Sequence, residues 1–239
     1  MTATTPPSAV ASYRHTLGLI GIAIVVAALG AMAQARPTTG AGLTNTHASA
    51  LPAYLSAFLL EAALLYYVWA GVRKRGVTLA MLSGGRWSTP KDVLRDFAIA
   101  LPFWALLQLV DLLTTPLVGS NNAKSVNILL PVGWFEVSVW ILLSLTAGFV
   151  EELVFRGYLQ RQLLALSGRT SVAVCGQAAV FGLMHAYQGW RLVSVICLIG
   201  LLFGLLAAWL RSTRPGMMAH ALTDIWGGWL KSALHFSPG

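Results

Sequence analysis

The sequence is poor in charge. Lysine, arginine, aspartate and glutamate together make up 10% of its residues, where a soluble domain carries about a quarter. With 56% hydrophobic residues and a mean hydropathy of +0.70, that shortage argues against a large soluble core and for a polytopic membrane protein. Cysteine is scarce as well. Cys175 and Cys197 both lie in apolar runs, with no CxxC pair and no Cys/His cluster. This speaks against cysteine-based zinc binding, and both read as small buried hydrophobes. The apolar runs show no strict polar/apolar alternation, which argues against the strands of a membrane barrel. No internal repeat and no soluble domain is visible.

What the chain has instead is long apolar runs. Seven are read, at 17–33, 51–72, 93–113, 134–150, 171–186, 192–210 and 216–234. A bilayer core offers the backbone no hydrogen-bond partner, so spanning runs of this length are helices. The fold class is therefore all-α: a polytopic integral membrane helical bundle of about seven transmembrane helices. The chain divides into a cytoplasmic tail (1–16), N-terminal transmembrane helices with their loops (17–133) and a core (134–232). Polar stretches at 35–49 and 118–127 read as extramembrane loops. Arg14 followed by an apolar run and AMAQA resembles a signal peptide. The run is long for such a segment, so we read a retained first helix. The spacing of Gly200 and Gly204 is a helix-contact pattern, read as packing only.

The net charge of +8 is laid out by topology rather than by a polyanionic partner, and no nucleic acid is expected. Arg73, Lys74, Arg75, Arg86 and Lys91 lie between the second and third runs. Arg156, Arg161 and Arg169 follow the fourth, and Arg211 and Arg214 the sixth. The intervening loops hold only Arg36, Lys124 and Arg191. This alternation is the positive-inside pattern and places the N-terminus in the cytoplasm. The alanine-rich chain has a prokaryotic look, so the expected location is the cell's inner (cytoplasmic) membrane, with lipids as partners.

Against this background three stretches place ionisable groups where charge is costly, which makes them functional candidates. In GFVEELVFRG, Glu152 and Arg156 are four apart and share a helix face, acid first, the better order for an ion pair. Glu151 points about 100° away, so one acid can be neutralised while the other stays available. His185 closes AVFGLMH. His220 and Asp224 are again four apart in MMAHALTD. If the fourth helix runs on to residue 166 and turns at 167–170, Glu151 and His185 each lie 15 residues from the turn. At 1.5 Å per residue that is about 22 Å for both, so an antiparallel hairpin sets them at one depth. Taken singly, each stretch also has a structural reading: an interfacial ion cluster, an interfacial histidine, a polar helix contact. Glu61, in the middle of LSAFLLEAALLYYVWAG, belongs to none of the three; pairing with a charge elsewhere, lining the cavity and being protonated are all open to it, and a structural role is read for it.

Together, EELVFR (Glu151–Arg156), FGLMH (Phe181–His185) and HALTD (His220–Asp224) resemble the CPBP intramembrane protease family of CaaX prenyl endopeptidases and bacterial, Abi-like relatives. The resemblance covers about residues 134–230. It implies an intramembrane endopeptidase, a hydrolase of glutamate or metal-dependent type, acting on membrane-associated or lipidated peptides. Carried over by position, Glu151 is the general base on the attacking water and His185 helps to place it. Glu152 and Arg156 hold the helix segment, while His220 and residue 224 stabilise the oxyanion. An ionised Asp224 cannot donate to an oxyanion, so it is protonated, orients His220, or binds a metal.

Zinc is the one cofactor this donor set suits, with Glu151, His185, His220 and Asp224 as ligands. HExxH is absent, and the reading leans to metal-independent chemistry. The competing readings are a non-catalytic scaffold or immunity protein that retains the motifs, and a small proton-coupled transporter using Glu61. A transporter would more often show repeats or broken helices in matching positions. Neither is seen.

Overall fold

The computed structural model describes residues 8–35, 49–118 and 129–235. Most of the loops read at 35–49 and 118–127, with Arg36 and Lys124, lies outside the described residues, as do 1–7. The helices are α1 (Tyr13–Ala35), α2 (Leu51–Arg73), a short α3 (Leu79–Ser83), α4 (Pro90–Val118), α5 (Gly133–Glu151), a π-helical segment (Glu152–Gln160), α6 (Arg161–Ser167), α7 (Thr170–Met184), α8 (Trp190–Leu210) and α9 (Arg214–His235). Among the described residues there is no strand.

Each expected apolar run is helical, but not all seven are transmembrane by length and composition. Five helical stretches are long and apolar enough to cross: Tyr13–Met32, Leu51–Arg73, Pro90–Pro116, Gly133–Ser167 and Trp190–Leu210. At 15 residues, α7 reaches only about 22 Å of a hydrocarbon core about 30 Å thick. Helix α9 is long enough but carries Arg214, His220, Asp224 and Lys231. Cys175, expected to be buried, is exposed on α7. In a membrane bundle the outer face meets lipid, so an apolar position need not be an inner one.

The bundle is built around the π segment. All nine of its residues are buried, and it packs against α7, α3, α2 and α8. As the sequence suggested, helix carries on past Gly157 to Ser167, and Gly168, in the left-handed region, ends it before α7 begins. Two close approaches set the neighbours. At Gly148, a Cβ would lie 2.8 Å from both Met217 O and Ala221 N, so α5 and α9 touch backbone to backbone. At Gly200, a Cβ would lie 3.2 Å from Cα and Cβ of Ala178, and α8 presses on α7 there. Packing is not all the small residues do. Their uncovered carbonyls accept hydrogen bonds: Gly200 O from Gln177 Nε2 (2.8 Å) and Arg156 Nη2 (3.4 Å), Gly204 O from Gln160 Nε2 (2.9 Å).

One end of the bundle gathers the basic connections. Arg161 donates to Met81 O at 2.7 Å, Thr213 N to Ser83 O at 3.1 Å, and Arg214 to Arg86 O at 2.8 Å. The chain's start is tied to the same end. Gln162 Oε1 accepts from Val10 N and Ala11 N, and its Nε2 donates to Ala11 O. Helix α1 is then pinned further along by His15, whose Nδ1 meets Tyr158 Oη at 2.8 Å and whose Nε2 donates to Tyr67 O at 2.9 Å.

Because α5 and α9 touch at Gly148, a single methyl should separate them. Gly148→Ala is expected to cost about 1–3 kcal/mol, the usual range for overpacking. The check is a lowered thermal midpoint of the detergent-purified protein, with Gly21→Ala as control, where a Cβ meets nothing within 4 Å.

Candidate active site

The three motif stretches converge where α5 passes into the π segment and crosses α9. Arg156 and Glu152 form a buried ion pair, Nη1 to Oε1 at 2.7 Å, with side chains 0% and 1% exposed. Charge at such a site is costly unless paired and hydrogen-bonded. The guanidinium is further held between two aromatic faces, its Cζ 4.2 Å from the Phe181 ring centre and 4.9 Å from that of Phe203.

His220 leans on this pair. Its Nδ1 lies 3.2 Å from Glu152 Oε1, and its ring sits 5.4 Å from Phe203 and 6.1 Å from Phe181, centre to centre. The other nitrogen, Nε2, faces two more carboxylates: Glu151 Oε2 at 3.7 Å and Asp224 Oδ2 at 3.6 Å. Asp224 is fixed through its backbone, whose carbonyl accepts from Trp140 Nε1 at 2.9 Å. The side chains become more accessible outward, from Glu152 at 1% through His220 at 10% and Glu151 at 15% to Asp224 at 33%. Glu151 and Asp224 thus occupy the accessible end of the cluster.

His185 stands slightly apart. It caps α7, its Nδ1 bonded to Phe181 O at 2.8 Å. Its ring neighbours are Phe181, 4.8 Å away, and Tyr187, 6.0 Å away. It shares Phe181 with His220 but forms no hydrogen bond or ion pair with Glu151, His220 or Asp224 among the described residues.

A zinc site needs three or more protein donors around one point. Among the described residues no group of three His, Cys, Asp or Glu side chains is placed to hold a metal ion.

Two further groups stand beside the cluster. Glu61, on α2, brings its carboxyl within hydrogen-bonding reach of Glu151. Tyr187, in the turn Ala186–Gln188, lies close enough to Glu151, Asp224 and Glu61 to sense their charges. Glu61 was visible as an acid without a motif. No signal in the sequence marked Tyr187.

If Glu152 and Arg156 form one unit, removing one partner leaves the other buried and unpaired. Arg156→Ala is expected to cost about 3–5 kcal/mol. The double variant Glu152→Gln/Arg156→Met should lose less than the two single changes summed. Reversible unfolding in mixed micelles measures both.

Residues 133–226 match the family model of type II CAAX prenyl endopeptidase Rce1-like proteins. No curated protein and no solved structure gives a significant match. The matched stretch runs from α5 to Trp226 and includes all six candidate residues, so this part of the chain is similar to the Rce1-like type II CAAX prenyl endopeptidases.

Proposed function

We propose that the chain hydrolyses peptide bonds of membrane-associated peptides, lipidated or not, with Glu151 as the base that activates water. The observation that carries this reading is the placement of His220 Nε2, 3.7 Å from Glu151 Oε2 and 3.6 Å from Asp224 Oδ2. Such gaps are too long for direct hydrogen bonds and suit a small molecule bridging the groups. The attacking water takes that place.

Both ring nitrogens of His220 face carboxylates, which when ionised only accept. The ring therefore acts as a donor on both sides, Nδ1–H to Glu152 and Nε2–H toward the developing oxyanion. Preorganised donors of this kind can supply the largest part of a rate enhancement. Asp224 orients the ring and offsets its charge. His185, with Nδ1 held by Phe181 O, keeps Nε2 free to position the water or the peptide.

The steps balance without a metal. The water oxygen bonds to the carbonyl carbon as its proton passes to Glu151, and the carbonyl π pair moves to oxygen beside His220. On collapse the carbonyl re-forms, the C–N bond breaks, and Glu151 returns the proton to the leaving amine.

The test is cleavage of a quenched peptide library by detergent-purified protein. Wild type should cut, and correctly folded Glu151→Ala and His185→Ala should each lose on the order of 100-fold or more, while a chelator leaves the rate unchanged. Variants that cut like wild type overturn the site assignment, and chelator-sensitive cutting overturns the metal-free chemistry.

We also propose that the basic end of the bundle faces the cytoplasm of the inner membrane. On a Cys175→Ser/Cys197→Ser background, Arg75→Cys should react with an impermeant thiol reagent only in inside-out vesicles, and Trp190→Cys only in right-side-out ones.

A further inference from the structure

The bundle is sealed on one side of the cluster and open on the other. Helix α9 begins at the end that carries the basic connections and runs away from it. Every residue from Arg214 to Met217 and from Ala219 to Ala221 is buried, whereas none from Leu222 to Gly227 is. His220 lies on the last buried turn, and Asp224 on the first open one.

The other elements on the basic side are closed too. The π segment is buried throughout. Leu82 of α3, 0% exposed, lies over it at Gly157, where a Cβ would be 3.0 Å from Leu82 O. Two cavities at this end, of about 600 and 330 Å³, flank Trp87, and none of the six site residues is in their walls.

On the far side the reverse holds. Asp224 lies ten residues along α9 from Arg214, about 15 Å, and its side chain is 33% exposed against 10% for His220. Beside it on that side is the turn after α7. There Tyr187 is 39% exposed, with its ring stacked 6.0 Å from that of His185. An acid turned toward lipid is costly, and acids inside a bundle face protein or a water-filled space. The open side of Asp224 is therefore a place for water and a polar chain.

We propose that the site opens away from the basic end, so that a substrate peptide reaches Glu151 past Tyr187 and Asp224 from the extracytoplasmic face of the membrane. The substrates are then exported peptides, or segments of membrane proteins exposed on that face. This rests on the reading of Glu151 as the base and of the basic end as cytoplasmic.

The opening is tested without a substrate. On the Cys175→Ser/Cys197→Ser background, Tyr187→Cys and Asp224→Cys should react with an impermeant thiol reagent in right-side-out vesicles only, opposite to Arg75→Cys. Labelling of one or both from that side alone carries the proposal. Labelling of either from the side of Arg75→Cys overturns it, and so does labelling of neither while a permeant reagent finds the thiols after denaturation. If Arg75→Cys itself reacts only in right-side-out vesicles, the extracytoplasmic assignment is overturned.

Activity gives a second test. A library peptide that the detergent-purified protein cuts, made impermeant with a charged tag, should be cut when added to right-side-out vesicles and left intact by inside-out ones. Cutting by inside-out vesicles alone overturns this inference and leaves Glu151 as the base. If Glu151→Ala cuts like wild type, the reading of the site fails instead, and the thiol labelling still decides which way the crevice opens.

Discussion

The ion pair of Glu152 and Arg156 is the constraint around which the bundle is arranged. Burying both charges away from water is costly, and the attraction between them repays it only with good geometry and further partners. Here those partners are the rings of Phe181 and Phe203 and the carbonyl of Gly200. To supply that carbonyl, α8 must show bare backbone, and to bring His220 onto Glu152, α9 must cross α5 closely. Gly200 and Gly148 permit those two approaches. The small residues and the buried charges are parts of one solution.

The helices were legible because hydropathy reports directly on burial in lipid or protein. The count of spans was less so. Helix α7 is too short and α9 too polar to meet the criterion of length and apolarity, because both are covered by neighbours and need not face lipid along their whole length. The π-helical segment had no signature. An argument from a period of 3.6 depends on one face differing from another, and Glu152–Gln160 is buried all round. Departures of this kind often mark functional sites.

Within the site, the i,i+4 pairs could be read because they are local. Glu152 does meet Arg156, and His220 does face Asp224. Contacts between helices distant in sequence could be read only where a motif tied them together. The approach of His220 to Glu152 follows from no spacing, and neither does that of Glu61 to Glu151. Gly200 and Gly204 were read as packing alone, since a contact pattern says that backbones approach but not which side chains use the carbonyls this uncovers.

Two adjacent acids at the end of an apolar run now have separate explanations. Glu152 is directed into the bundle, where Arg156 and His220 occupy one of its oxygens and its side chain is 1% exposed. It acts as structure. Glu151, one residue earlier, turns toward His220, Glu61 and the more accessible Asp224. Its Oε2 has no donor. The inner acid, paired with Arg156, anchors the turn of helix from which the outer acid reaches toward His220.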